Sequence, residues 1–247
     1  MRCTGRILVI AFAAVMLLAS ATFAGDIFNC PTANQQQAGQ IDLGFYWVDP
    51  HNPNPKAPSH LNCYKAYLGV TNEVEIDAHV FDFNHATPAK TYWNATVLVV
   101  KEDLRHPAVV LGVDDIAQSA TYPAGPRMGQ RADRAFFVAA AKTVNSPARG
   151  EKPKFPIVRL HLGVGTERHH GFFGGVQTKL TREIGAVALF LPDDVLFAPD
   201  DDEWIYGLMY TPGPQWPTFK IAKCGHKDVL GISYNFVGRQ SERASRR

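Results

Sequence analysis

The segment Val74-Glu75-Ile76-Asp77-Ala78-His79-Val80 decides the fold class. Val74, Ile76, Ala78 and Val80 alternate with Glu75, Asp77 and His79. That period of two is the mark of a strand with one buried face, because successive side chains leave a strand on opposite sides. Val158, Leu160, Leu162 and Val164 repeat it, opposite Arg159 and His161. Working outward, 41–48, 74–83, 92–100, 155–164, 185–191, 203–210 and 228–236 are rich in β-branched and aromatic residues and read as strands. The stretches 49–58, 122–129, 145–156 and 211–217 carry proline, glycine and asparagine and read as loops. Residues 131–142 (RADRAFFVAAAK) lack glycine and proline and hold five alanines, which predicts a helix. The fold expected is mainly β: an antiparallel β-sandwich, jelly-roll-like, or a barrel, with one short helix.

The first 24 residues bear on location. Arg2 and Arg6 precede an apolar run from Ile7 to Leu18, and Ala19-Ser20-Ala21-Thr22-Phe23-Ala24 follows. This order reads as a secretory signal peptide cut after Ala21 or Ala24. The run is shorter than the ~20 residues that a helix needs to span a bilayer. Residues 25–238 then form a single β-rich domain, and 239–247, with Arg239, Arg243, Arg246 and Arg247, form a basic disordered tail. The expected product is a soluble secreted or periplasmic protein with no membrane span after cleavage.

The leader removes two arginines and no acid, which leaves the remainder of the chain neutral. A nucleic-acid partner therefore has no electrostatic support. Cys30, Cys63 and Cys224 lie beyond the leader, and export predicts a disulfide, Cys30–Cys63 being the pairing expected. The alternative pairing is Cys63–Cys224.

Four clusters carry potential chemistry. Glu75, Asp77 and His79 share one strand face about 7 Å apart in steps, so the carboxylates suit an acid–base or nucleophilic pair with His79 assisting. The plainer reading of the same row is the solvated face of an amphipathic strand. His161 and His169, with Glu167 and His170 in a glycine-rich turn, offer imidazoles for Zn²⁺. Asp200 and Asp202, in an acidic run with Asp193, Asp194 and Asp201, offer hard oxygen ligands for Ca²⁺. Trp216 in a proline-rich loop, with Trp93 and Tyr92, offers aromatic faces for stacking on sugar rings.

The fragment Glu75-Ile76-Asp77 resembles the start of the catalytic strand of laminarinase-like jelly-roll glycoside hydrolases. There a second Glu follows on the same face; here His79 holds that place, so the family's acid/base is missing. The motifs GxSxG, HExxH, CxxC and a phosphate-binding glycine loop are absent from the sequence. The function expected is binding of a carbohydrate or cell-envelope polymer by a soluble exported protein. The alternatives are a secreted glycan-directed hydrolase or lyase and a secreted interaction factor, such as an inhibitor or adhesin.

Overall fold

A computed structural model describes residues 30–49, 60–82, 90–119, 133–145, 154–192, 203–213 and 215–236. The expected leader, the tail 239–247, Asp200 and Asp202 lie outside the described residues.

Twelve antiparallel strands close into a barrel, each hydrogen-bonded to its sequence neighbours, with the first and last sealing the ring. They are β1 (Ile41–Asp49), β2 (Leu61–Gly69), β3 (Val74–Asp82), β4 (Lys90–Val100), β5 (Ala108–Asp114) and β6 (Ala135–Thr143). The second half is β7 (Ile157–Gly165), β8 (Gly171–Lys179), β9 (Ile184–Leu191), β10 (Glu203–Tyr210), β11 (Thr218–Cys224) and β12 (Lys227–Phe236). Closure leaves no edge strand with unpaired backbone groups. The fold is mainly β and antiparallel as expected, but it is a closed barrel and not a sandwich.

The predicted helix is strand β6, and among the described residues the one helical element is the short 3-10 turn Glu167–His169. Three of those alanines, Ala135, Ala139 and Ala141, lie on its buried inward face, while Phe136 and Val138 point outward and are exposed. Two periods coexist in that stretch, and pairing with β5 and β7 selects the period of two.

The barrel is inside-out relative to a water-soluble domain. On β3 the apolar row faces outward, with Ile76 exposed, while Glu75, Asp77 and His79 face the lumen and are buried. The outer wall carries Phe172 (71% exposed), Leu162 (63%), Tyr206 (55%) and Trp93 (50%), and no described outward residue in the middle of the wall is charged. Aromatic side chains gather toward the end opposite the terminal end, where β1 starts and β12 finishes: Trp47, Trp93, Phe136, Phe172, Phe190 and Trp204. Beyond them Asp49, Asp82, Lys223 and Asp228 mark the return to water, with Lys223 Nζ 2.8 Å from Asp228 Oδ1. Strands of about nine residues, at ~3.3 Å per residue and a tilt of about 40°, rise roughly 23 Å, close to the ~25 Å apolar band of membrane barrels.

That wall overturns the expectation of a soluble secreted or periplasmic protein without a membrane span. A contiguous apolar outer wall is at odds with a soluble monomer, which exposes patches of only a few hundred Å². The soluble carbohydrate binder, the secreted hydrolase or lyase and the secreted interaction factor go with it. No described helix is long and apolar enough to cross a membrane; the strands supply the apolar surface.

Two turns at the terminal end share one construction. In the β2–β3 turn, Thr71 Oγ1 accepts from the N–H groups of Glu73 and Val74, each at 3.0 Å. In the β8–β9 turn, Thr181 Oγ1 accepts from Glu183 and Ile184 at 3.1 and 3.0 Å. The next strand then donates to the glutamate carbonyl in both, Leu98 N–H to Glu73 at 2.7 Å and Thr211 N–H to Glu183 at 2.8 Å.

Candidate functional site

The lumen holds the polar groups that the fold has turned inward. Three of its aromatic rings lie against the wall because each stands directly opposite a glycine on the neighbouring strand. The pairs are Tyr46 with Gly231, Phe137 with Gly112, and Phe173 with Gly163. A Cβ added at Gly112 would sit 2.0 Å from the Phe137 ring, and one at Gly163 would sit 2.2 Å from Phe173. Glycine there lets the ring lie flat instead of projecting across the bore.

At the terminal end, the residues preceding β1 enter the lumen. Gly39, at φ +76°, allows the turn from 37 to 40, in which Gln40 N–H donates to the Gln37 carbonyl at 2.9 Å. Gly39 N–H and Gly69 N–H tie this turn to the end of β2, at 2.8 and 3.0 Å. Gly69 has no room for a side chain, since a Cβ would lie 2.1 Å from the Gln37 carbonyl oxygen.

Residues 34–36 then touch inward side chains from several sides of the ring. Gln36 N–H donates to Glu75 Oε2 of β3 at 2.7 Å, and Asn235 Nδ2 of β12 donates to Gln36 Oε1 at 2.8 Å. The Gln35 amide lies 3.0 Å from Thr96 Oγ1 of β4. Arg159 Nε of β7 donates to Asn34 Oδ1 at 2.7 Å. Gln36 is 1% exposed, and Cys30, Thr32 and Ala33 before it are also buried.

Arg159 joins this strap to the rim. Its guanidinium also donates to Thr143 Oγ1 at 2.9 Å and pairs with the Glu102 carboxylate in the β4–β5 turn. Burial alone would push the Glu102 carboxyl up, but the Thr143 N–H and the Arg159 guanidinium outweigh it and hold the carboxyl below its usual range. In the same turn, hydrogen bonds from the His106 ring and then from the backbone N–H groups of His106 and Arg105 hold exposed Asp103 well below the usual carboxylate range.

Farther along the bore, Asp77 Oδ1 lies 3.0 Å from His79 Nε2 and accepts from Asn94 Nδ2 at 2.5 Å. Asn94 Oδ1 in turn accepts from Asp115 N–H at 2.9 Å, and Asp115 Oδ1 accepts from Ser119 N–H and Oγ. At the far end His169 reaches inward from the β7–β8 connection, with Nε2 2.6 Å from Asp114 Oδ2 and its ring edge-on to Phe137. On another wall Lys220 Nζ donates to Tyr46 Oη at 2.6 Å, and Lys65 Nζ lies 5.5 Å from the centre of the same ring.

The expected site residues are placed as follows. Glu75, Asp77 and His79 do share one face, and that face is the buried lumen wall, not a solvated surface. Glu75 serves the strap while Asp77 and His79 belong to the Asn94 network. His161 faces the lumen at the middle of β7, whereas His169 sits at the far end, so the two imidazoles do not meet. No group of three or more His, Cys, Asp or Glu among the described residues is placed to hold a metal ion.

Tyr92 and Trp93 point to opposite sides of the wall, Tyr92 buried and Trp93 exposed, and Trp216 is exposed in the β10–β11 turn; the three form no shared platform. Cys30 and Cys63 are buried thiols, and no disulfide joins cysteines among the described residues. Sequence reasoning passed over Gln36, Asn94, Asp114, Asp115 and Arg159. Their signal was position within an alternating strand or next to one, read against a lumen that the sequence does not announce.

No protein-family model matches the chain, and no curated protein matches it. The barrel is similar to the solved structure of KdgM porin, at 10% identity and TM-score 0.48, covering 80% of this chain and 98% of that one. It is similar also to KdgM porin in complex with disordered oligogalacturonate, at 10% identity, TM-score 0.45 and the same coverage.

Proposed function

We propose that this chain is an outer-membrane-type β-barrel that passes small hydrophilic solutes through its lumen. The observation that carries the reading is the sorting of side chains in one closed ring of strands: exposed apolar residues outward, and Asp, Glu, His, Lys, Arg and Asn inward beside an apolar inner wall on β9 and β10. An apolar outer wall satisfies the bilayer, and closure satisfies every strand's backbone without water. A purely structural barrel would gain nothing from burying so many charged groups, each of which costs free energy unless paired.

Sugars are the first solutes to try, because Tyr46, Tyr67 and Tyr92 line the lumen among hydrogen-bonding groups, the mixture that suits a ring with hydroxyls. This transfers the expected carbohydrate partner from an outer surface to the bore. The test is swelling of liposomes that contain the full barrel, in iso-osmotic mono- and disaccharides and in amino acids. Swelling above that of empty liposomes supports the channel. Equal rates for barrel-containing and empty liposomes, with the strap loosened as described below, would refute it.

A further inference from the structure

We infer that residues 34–36 are a displaceable gate, a strap of the chain's own N-terminal side seated in the terminal end of the lumen; this rests on the channel reading. Barrels of eight strands are filled by their own side chains, while those of sixteen or more leave an aqueous bore. Twelve strands lie between, and an extended segment is the size of object that such a bore admits.

The contacts of the strap bear on both closure and release. Asn34, Gln35 and Gln36 meet Arg159, Thr96, Glu75 and Asn235, which belong to β7, β4, β3 and β12. Strands β3 and β4 adjoin each other, but β7 and β12 stand five places apart around the ring. A segment bonded to all of them crosses the lumen. Its bonds are to side chains, save that the Gln35 amide also lies 3.3 Å from the Glu73 carbonyl and the Leu98 N–H, and none of them is a strand pairing. Backbone ties flank the crossing on both sides, at Cys30, a buried β-bridge residue, and at Gly39 and Gly69 beside the rim, where Gly39 already occupies the left-handed region that a hinge can use.

The seat is polar and partly charged. Glu75 accepts a backbone N–H and Arg159 donates to an amide oxygen, and bonds to ionised groups are the stronger kind. Closed is therefore the favoured state, and each such bond lost is expected to shift the closed–open balance by about tenfold.

The experiment records single channels in planar bilayers from the full barrel and from Asn34→Ala/Gln36→Ala. Both substitutions lie on the strap and leave the barrel wall untouched. The expected result is rare opening in the parent and an open fraction at least about tenfold higher in the variant. A second form, Gln35→Cys/Thr96→Cys with Cys30, Cys63 and Cys224 replaced by alanine, is expected to stay shut when oxidised and to open at least as often as the parent when reduced.

Equal open fractions in parent and strap variant would overturn the gate while leaving the channel standing. Unchanged current on cross-linking would do the same. No conductance in any form, with backbone exchange confirming a folded barrel, would overturn gate and channel together.

Discussion

Strands β3 and β9 have the same length class and the same alternation, yet they present opposite inner faces. On β3 the lumen side carries Glu75, Asp77 and His79; on β9 it carries Val187, Leu189 and Leu191, with Ile205 and Met209 beside them on β10. The outer faces are alike, Ile76 and Val80 against Ile184 and Phe190. One half of the lumen is thus wet chemistry held by paired hydrogen bonds, and the other is a dry wall held by packing. The difference shows that membrane exposure fixes the outer face alone. The inner face is open to be polar or apolar according to what it meets across the bore.

Substitutions sharpen this contrast, beginning with the dry wall. Leu189 is fully buried there. Leu189→Asp places a charge with no partner in that wall and is expected to cost about 4 kcal/mol or more, enough to prevent folding. Urea titration of the barrel refolded into phosphatidylcholine vesicles would measure it. Stability within 1 kcal/mol of the parent (a small loss by the usual spread) would mean that the wall is not dry.

Leu162→Arg attacks the outer face near mid-height and is expected to cost about 2–4 kcal/mol in the same assay. The same change at Asp49, at the far margin, should cost little. Equal effects at both positions would break the assignment of the apolar band.

Gly163→Ala drives a Cβ into the Phe173 ring and is expected to cost about 1–3 kcal/mol. Adding Phe173→Leu should recover part of that loss. Non-recovery would show that Gly163 serves the backbone and not the ring.

The smallest effect is on the rim. Glu102 has a lowered folded-state pKa, so its contribution is fully present above the ordinary carboxyl value of 4.5 and is lost as pH falls through the lower folded value. Glu102→Gln should remove this part of the acid sensitivity. An unchanged slope of stability against pH in the acid range would show that the pair with Arg159 contributes nothing measurable.

Much of the secondary structure was legible, and the orientation was not. The seven predicted strands all exist, because their outward rows of β-branched and aromatic residues are uninterrupted. Strand β2 was missed because Lys65 sits mid-strand, β8 because Gly171, Gly174 and Gly175 imitate a turn, and β11 because Lys220 and Lys223 break its apolar row; β5 was missed too, although its apolar run is unbroken. Strand β6 was misread because its inward residues, Phe137 apart, are alanines.

The shared face of Glu75, Asp77 and His79 was readable from spacing alone. Alternation has the same period whether the apolar row faces a core or a lipid, so no single strand could say which side was inside. The contacts of Gln36 with Glu75 and Asn235 link positions 36, 75 and 235, and no local pattern encodes a meeting that closure of the ring creates.

The paired turns at Thr71 and Thr181 bear on how such a ring closes at all. A barrel is defined by its shear, the accumulated stagger between neighbouring strands, and a slip of one residue anywhere would turn a strand's inner face outward. Strands β2–β3 and β8–β9 are six places apart in a ring of twelve, so the two turns stand diametrically across the rim. Each fixes the stagger of its own hairpin through a threonine hydroxyl and two backbone donors, without reference to the rest of the molecule. The ring can therefore zip outward from two independently registered hairpins, and an error begun in one half is met by a fixed register in the other before the seam between β1 and β12 is joined.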